Sequence, residues 1–260
     1  MIISRVDGLH NDSWIKSVKF SNVGLVRREN EDHLFAGHLS GVYCVADGMG
    51  GGEEGAKASE MVCAEVYRAV SNATGGFFAK MQAVDDGLQA ANSVVYNYAK
   101  SRSYRQMGST AAILLFYSPG SGHAAICHVG DSRVYRIRDG LATPLTRDHT
   151  VAEEYKALIF KNGNQEPING RNHPLAHVLT RAIGTDSKVV AEWTKIDVVS
   201  GDRFLVCSDG VHDVLSDALI GFLAGYDSLG TVRERLSSAI VNGGAPDNYS
   251  FILLEVGHQK

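Results

Sequence analysis

The chain has 260 residues, 28 of them Gly and 5 Pro, with 44% hydrophobic and 21% charged side chains, which excludes a disordered or collagen-like chain and allows a large core. Its 25 basic and 29 acidic residues leave a net charge of −4, which argues against a nucleic-acid binder. No apolar run reaches the roughly 20 residues that span a bilayer, and residues 1–11 lack the apolar stretch of a secretory leader, so no membrane partner and a cytoplasmic location are expected.

In chain order, residues 14–20 alternate loosely and read as a strand, followed by a turn at Asn22-Val23-Gly24. The polar segment 27–32 leads to a short strand at 33–36. Residues 41–46 are continuously apolar and predict a central strand, which runs into Asp47-Gly48-Met49-Gly50-Gly51-Gly52. Two consecutive helices follow. The first opens with Glu53 and Glu54 and carries an apolar stripe of Ala58, Val62, Val66, Ala69 and Val70; the second covers 77–100. Strands at 110–117, 122–129 and 133–138 are separated by Pro119-Gly120, Gly130-Asp131 and Asp139-Gly140. Thr150 and Glu153 match a capping box for a helix that ends at Asn162-Gly163. Residues 164–173 have no periodicity and read as a loop. Strands at 189–199 and 203–207 come next, then a helix from Ser216 to Gly225. A second capping box, Thr231 to Glu234, opens the last helix, and 249–256 is the final strand. Cys44, Cys63, Cys127 and Cys207 each sit in an apolar run without C-x-x-C spacing, so they read as buried free thiols. There is no repeat or linker, and one domain over 1–260 is expected. Strand runs interrupted by helix pairs predict an α+β fold with sheets covered by helices, not a βαβ alternation.

Four aspartates share one context. Asp47, Asp131 and Asp209 each close an apolar strand, and Asp247 stands just before one. A single Asp-Gly pair is a turn former. Four such residues converge at one rim if their strands belong to stacked sheets. Carboxylates gathered there repel and raise one another's pKa unless cations neutralise them. Oxygen ligands without nearby His or Cys select hard ions, Mg²⁺ or Mn²⁺. Glu31 and Asp32 can join this set. Beside them, Arg27 and Arg28 are candidates for gripping a phosphate through two parallel hydrogen bonds.

These residues belong to an ordered series: Arg27-x-x-Asn30-Glu31-Asp32, Val45-Ala46-Asp47-Gly48-Met49-Gly50-Gly51, Gly108-Ser109-Thr110-Ala111, Val129-Gly130-Asp131-Ser132-Arg133, Thr146-Arg147-Asp148-His149, Leu179-Thr180-Arg181-Ala182-Ile183-Gly184, Ser208-Asp209-Gly210 and Asp247-Asn248. The series resembles the metal-dependent serine/threonine phosphatases of the PPM, or type 2C, family in its bacterial form. The resemblance implies two central antiparallel sheets packed face to face with helices outside. It implies a protein phosphatase that hydrolyses phosphoserine and phosphothreonine by attack of a metal-activated water, with two or three Mn or Mg ions. By resemblance, Asp47 bridges two ions and Gly48 offers its carbonyl to one, while Asp209 and Asp247 hold the other. Asp131 helps hold a third ion with Asp209, Glu31 and Asp32 act around the metals, and Arg27 grips the phosphate. Phosphorylated proteins, a Ser/Thr kinase and its targets among them, are the implied partners, and a monomer is expected. Residues 149–178 correspond to the family's variable flap.

Two positions depart from the family pattern. Met49 stands where many eukaryotic members place a histidine proposed as general acid, and Gly52 stands where bacterial members often carry a histidine. Other readings are weaker. A catalytically weak module that binds phosphoproteins would have no need of a costly cluster of aspartates. Gly50-x-Gly52-x-x-Gly55 matches a dinucleotide fingerprint, but Glu53 and Glu54 occupy the helix N-terminus and a second helix replaces the βαβ unit. His173 and His177 are four apart, yet Pro174 disfavours a helix there and the sequence offers no third ligand. Arg133, Arg136 and Arg138 read as a solvated face.

Overall fold

The computed structural model describes residues 10–11, 14–118, 121–161, 175 and 177–257. Two antiparallel sheets form its centre. One orders β1 (His10–Asn11), β2 (Ile15–Asn22), β12 (Tyr249–Val256), β11 (Arg203–Cys207), β8 (Arg133–Arg138) and β9 (Leu141–Pro144). The other orders β10 (Glu192–Asp197), β7 (His123–Val129), β6 (Ala111–Phe116), β4 (Val42–Met49) and β3 (Asp32–Gly37), with β5 (Gly108–Ser109) paired to the end of β4.

Strand periodicity explains why the central strands are apolar throughout. On β4, Val42, Cys44 and Ala46 pack beneath α1 (Glu53–Asn72) and α2 (Phe77–Arg102), while Tyr43 and Val45 face the other sheet. β6 divides the same way: Ala111, Ile113 and Leu115 face the helices, and Ala112, Leu114 and Phe116 face the other sheet. On β11, Phe204 and Val206 face inward, and Leu205 and Cys207 lie under α5 (Asp217–Ala224) and α6 (Leu229–Asn242). Each strand is covered on both faces, so neither face can be polar. The result is the expected four-layer α-β-β-α sandwich. All four cysteines are buried and free.

Several local expectations change. The central strand continues past Ala46 to Met49, because Asp47 pairs with Asp32 on β3 while Gly48 and Met49 pair with β5. The strand expected at 189–199 shortens to Glu192–Asp197, since the Gln89 side-chain amide takes the Val189 carbonyl at 2.9 Å. α6 is capped three residues earlier than expected, by Ser228, whose hydroxyl accepts from the Thr231 amide at 3.2 Å. Thr150 does cap α3 (Val151–Lys161), accepting from the Glu153 amide at 3.3 Å. Arg133 is largely buried and bonds Asp148 at 2.8 Å, whereas Arg138 bonds Asp202 at 2.6 Å and stays solvated on its strand. The turn at Pro119-Gly120, the helix end at Asn162-Gly163 and most of the flap beyond α3 lie outside the described residues, as does His173.

Candidate metal centre

Asp47 continues the face of β4 that carries Tyr43 and Val45, so its side chain points between the sheets at their rim. Its backbone is fixed on both sides. Its amide donates to Thr110 Oγ1 at 3.0 Å, and its carbonyl accepts from the Thr110 amide at 2.8 Å and from Ser109 Oγ at 2.9 Å. From the facing sheet, β11 ends at Cys207, Ser208 stands just before the single-turn α4 (Asp209–His212) without a side-chain capping bond, and Asp209 is the helix's first residue. The Asp47 and Asp209 carboxyl groups line the same cleft, and the charge of Asp209 helps to raise Asp47. Asp247 precedes β12 and accepts from Arg27 Nη2 at 2.6 Å and from the Asn248 amide at 2.7 Å.

Glu31 enters from the segment before β3. Its Oε1 accepts from the Gly52 amide at 2.6 Å, so a carboxylate of this chain occupies the glycine-rich start of α1. Gly48 is required by close approach: a Cβ there would stand 1.9 Å from the Gly55 carbonyl. Gly24 has a φ of 76°, and a Cβ would stand 2.2 Å from the Asp247 carbonyl. Both glycines let backbone pack directly around the carboxylates.

Arg27, Glu31, Asp47, Asp131, Asp209 and Asp247 line one cleft of about 690 Å³, with Gly48 and Met49 in its wall. Asp32 does not line it. Asp32 sits behind Asp47, paired across the ladder, with Oδ2 accepting from Ser208 Oγ at 2.7 Å. The structure thus brings Arg27, Glu31, Asp47, Gly48, Asp131, Asp209 and Asp247 to one rim and places Asp32 in the layer behind. Arg28 is exposed.

Burial dominates the electrostatics. It raises Glu31, and it pushes Asp32 up to about 7, reinforced by the charges of Asp209 and Asp247. Asp47 and Asp131 are pushed well above the carboxylate range, first by burial and then by neighbouring carboxylates. Asp209 is raised by burial and by Asp213. Asp32 Oδ1 and Asp209 Oδ1 are buried with no hydrogen-bond donor. A buried carboxylate oxygen without a donor is costly unless a proton or a cation meets it. The donor set, carboxylates and one backbone carbonyl, suits hard divalent ions.

Sequence reasoning left three contributors without a role. Asn248 ties the site together: its Oδ1 accepts from the Glu31 amide at 2.8 Å, and its Nδ2 donates to the Val23 and Glu29 carbonyls at 2.9 Å each. Asp213 lies one turn after Asp209 and faces the same cleft. His177 lies across from it, Nδ1 3.3 Å from Asp213 Oδ2. The Asp-Asn pair was a signal for Asn248; nothing in linear spacing joins His177 to Asp213. A second imidazole group, His128 with His149, stacks at 4.5 Å beside Glu192. There His149 Nδ1 accepts from the Gly130 amide and Nε2 faces Glu192 and Arg181 at 3.3 Å each, so both nitrogens are engaged. Burial and His128 push His149 down to about 4.

Comparison with known proteins agrees with this geometry. The family model described as Protein phosphatase 2C matches residues 27–238. The chain is 32% identical over 238 residues to the serine/threonine protein phosphatase PstP of Mycobacterium tuberculosis, covering 91% of this chain and 44% of PstP, so it spans less than half of that relative's length. Among solved structures, PppA of Pseudomonas aeruginosa superposes with a TM-score of 0.83 at 30% identity, covering 94% of this chain and 98% of PppA. The catalytic domain of PstP in complex with two manganese ions superposes with a TM-score of 0.80 at 29% identity, covering 94% of this chain and 99% of that domain. With eight sequence motifs in order, the two-sheet sandwich and the acidic rim all in agreement with that match, the chain belongs to the protein phosphatase 2C family.

Proposed function

We propose that this chain hydrolyses phosphoserine and phosphothreonine monoesters in proteins, with Mn²⁺ or Mg²⁺ held at the acidic rim. The observation that carries this reading is the convergence of Asp47, Asp131, Asp209 and Asp247 from both sheets on one cleft edged by Arg27. Family membership and the two manganese ions of the PstP catalytic domain support the same choice.

The residues fit such ions, because Asp209 Oδ1, buried without a donor at the base of the cleft, is costly unless a proton or a cation meets it, and the carboxylates around it are hard oxygen donors. Asp47, the Gly48 carbonyl, Asp209 and Asp247 would hold them, with Asp131 and Glu31 at the margins and Asp32 supporting from behind. Bound divalent ions would supply charge neutralisation and a water activated for attack on phosphorus. Arg27 places one guanidinium nitrogen on Asp247, and its remaining N–H groups are free to take phosphoryl oxygens as charge builds there. Asn248 holds Glu31 and the chain before it in place. Met49 has no proton to give, so the departing Ser or Thr oxygen takes its proton from water or from another residue of the cleft.

Phosphoproteins of this kind are made by Ser/Thr kinases, so such a kinase and its targets are the expected partners. No helix among the described residues is long and apolar enough to cross a membrane, and the four free thiols suit a reducing cytoplasm. The test is hydrolysis of a phosphothreonine peptide with Mn²⁺, with Mg²⁺ and with EDTA, using Asp209→Asn as control. Metal-dependent turnover lost in the variant is expected. Turnover that survives EDTA, or survives Asp209→Asn, would overturn the assignment.

A further inference from the structure

Asp131 is the middle residue of the short crossing that carries the chain from one sheet to the other. β7 ends at Val129 in the sheet that holds β4, and β8 begins at Arg133 in the facing sheet. Such a crossing fixes the Asp131 carboxyl only if Gly130 and Ser132 are themselves held. Gly130 is held from one side by His149, whose amide donates to the Gly130 carbonyl at 3.0 Å and whose Nδ1 accepts from the Gly130 amide at 3.1 Å. From the other side, both neighbours of Asp131 meet Thr110. Ala111 pairs with Val129, so Thr110 stands opposite Gly130 at the end of that ladder. A Cβ on Gly130 would stand 2.6 Å from Thr110 Cγ2, so the threonine methyl fills the space that the glycine leaves. The Thr110 hydroxyl shares a hydrogen bond of 2.7 Å with the hydroxyl of Ser132, which is fully buried.

The same hydroxyl reaches Asp47. On either side of this point the strands pair regularly, Gly48 with Ser109 and Val45 with Ala112. Between them the Asp47 amide donates to Thr110 Oγ1 at 3.0 Å, where a regular antiparallel pair would use the Thr110 carbonyl. That carbonyl accepts instead from Ser109 Oγ at 2.9 Å. A side chain has therefore replaced one rung of the ladder, at the residue where β4 turns from apolar to acidic. A single β-carbon carries both the methyl that seats Gly130 and the oxygen that joins the Asp47 backbone to Ser132. Valine would supply the methyl without the oxygen, and serine the oxygen without the methyl.

We propose that Thr110, bonded to Ser132, is a positioning residue of the acidic rim: it fixes the separation of Asp47 and Asp131 and so sets how tightly the rim holds divalent ions. It acts through the backbone on which those carboxylates stand. The catalytic consequence rests on the phosphatase reading; the effect on ion binding does not. Groups that orient metal-holding side chains typically matter by one to two orders of magnitude in affinity or rate.

The test is calorimetric titration of the metal-free chain with Mn²⁺, beside steady-state kinetics on a phosphothreonine peptide and urea unfolding in EDTA. The proteins are the native chain, Thr110→Val, Thr110→Ser and Ser132→Ala. Thr110→Val should weaken Mn²⁺ binding by roughly tenfold to a hundredfold and lower kcat with it. Thr110→Ser, which keeps the oxygen, should restore most of the affinity, and Ser132→Ala should lose part of it. Urea unfolding shows that each variant is folded under the titration conditions, so a loss of affinity is not a loss of fold. A Thr110→Val chain that is less stable yet binds Mn²⁺ as the native chain does would overturn the proposal and leave Thr110 with a structural role alone. If that variant does not fold, native affinity in Ser132→Ala would overturn it, as would Thr110→Ser binding as weakly as Thr110→Val. A native chain that binds Mn²⁺ but leaves the peptide intact, with the affinity series as expected, would sink the phosphatase reading and leave the positioning role standing. Peptide turnover with every variant at native affinity would do the reverse, and a native chain that binds no Mn²⁺ would overturn both.

Discussion

The space between the two sheets and the rim where it opens are built from the same strands with opposite chemistry. Along β4, Tyr43 and Val45 point inward and are sealed between the sheets. Two residues further, Asp47 points the same way, and the opposing sheet now offers Asp209 in place of Phe204 and Val206. The interior draws stability from apolar burial. The rim concentrates carboxylates that burial and mutual repulsion push toward protonation. What separates a core from a site is therefore where each strand stops being apolar, and the sandwich holds the rim's like charges in place against their repulsion.

The largest expected effect comes from a rim substitution. Asp47→Asn should lower metal-dependent turnover by about a thousandfold or more, the scale of several kcal/mol in the transition state. The same substitution should raise the melting temperature of the metal-free chain, because it removes one of the repelling charges. Steady-state rates and melts in EDTA check both halves; an unchanged rate or a lowered EDTA melt would blur the distinction between rim and core. Next is the interior. Phe204→Ala removes a fully buried ring between the sheets and should destabilise by about 3–5 kcal/mol, read from urea unfolding, with the metal-induced stabilisation retained.

A smaller effect is expected at Arg27. Arg27→Ala should raise KM for a phosphopeptide by roughly tenfold to a hundredfold, since a charged hydrogen bond is worth about 1.5–3 kcal/mol. Steady-state kinetics in which KM and kcat are both unaltered would remove Arg27 from the site. The smallest is a pH effect. Asp32 has an ordinary value of 3.8 and is raised to about 7 in the folded, metal-free chain. Between those values the folded state binds more protons than the unfolded state, so this group favours folding at low pH and loses that contribution as pH rises toward 7. Glu31, Asp47, Asp131 and Asp209 shift in the same direction. Melts in EDTA should therefore fall from pH 5 to pH 8 more steeply in the native chain than in Asp32→Asn. Saturating Mn²⁺ should remove the difference.

Much of this was legible before the structure. The strands buried on both faces announced themselves as continuous apolar runs, and the final strand, β12, ends where the apolar run ends. The four aspartates were legible because each sits at an end of such a run; period-two alternation then fixes the face of Asp47, while Asp131, Asp209 and Asp247 stand just outside their strands. Elements of two to four residues, β1, β5, β9 and α4, carry no periodicity and escaped. The start of α6 was misplaced because two hydroxyl residues, Ser228 and Thr231, compete for the cap, and only packing of Leu229 beneath the sheet decides between them. Asp32 and Asp47 could be named from motifs, but that one stands behind the other follows from cross-strand register, which no single strand states. His177 and Asp213 are 36 positions apart, and their meeting depends on the chain's return across Thr150.

The central claim is that the rim carboxylates hold divalent cations in exchange for protons. Calorimetric titration of the metal-free chain with Mn²⁺ near pH 6.5, in two buffers of different ionisation enthalpy, measures both binding and the protons set free. The account predicts tight binding with net proton release, both sharply reduced in Asp47→Asn. Binding without proton release, or binding unaffected by Asp47→Asn, would contradict it.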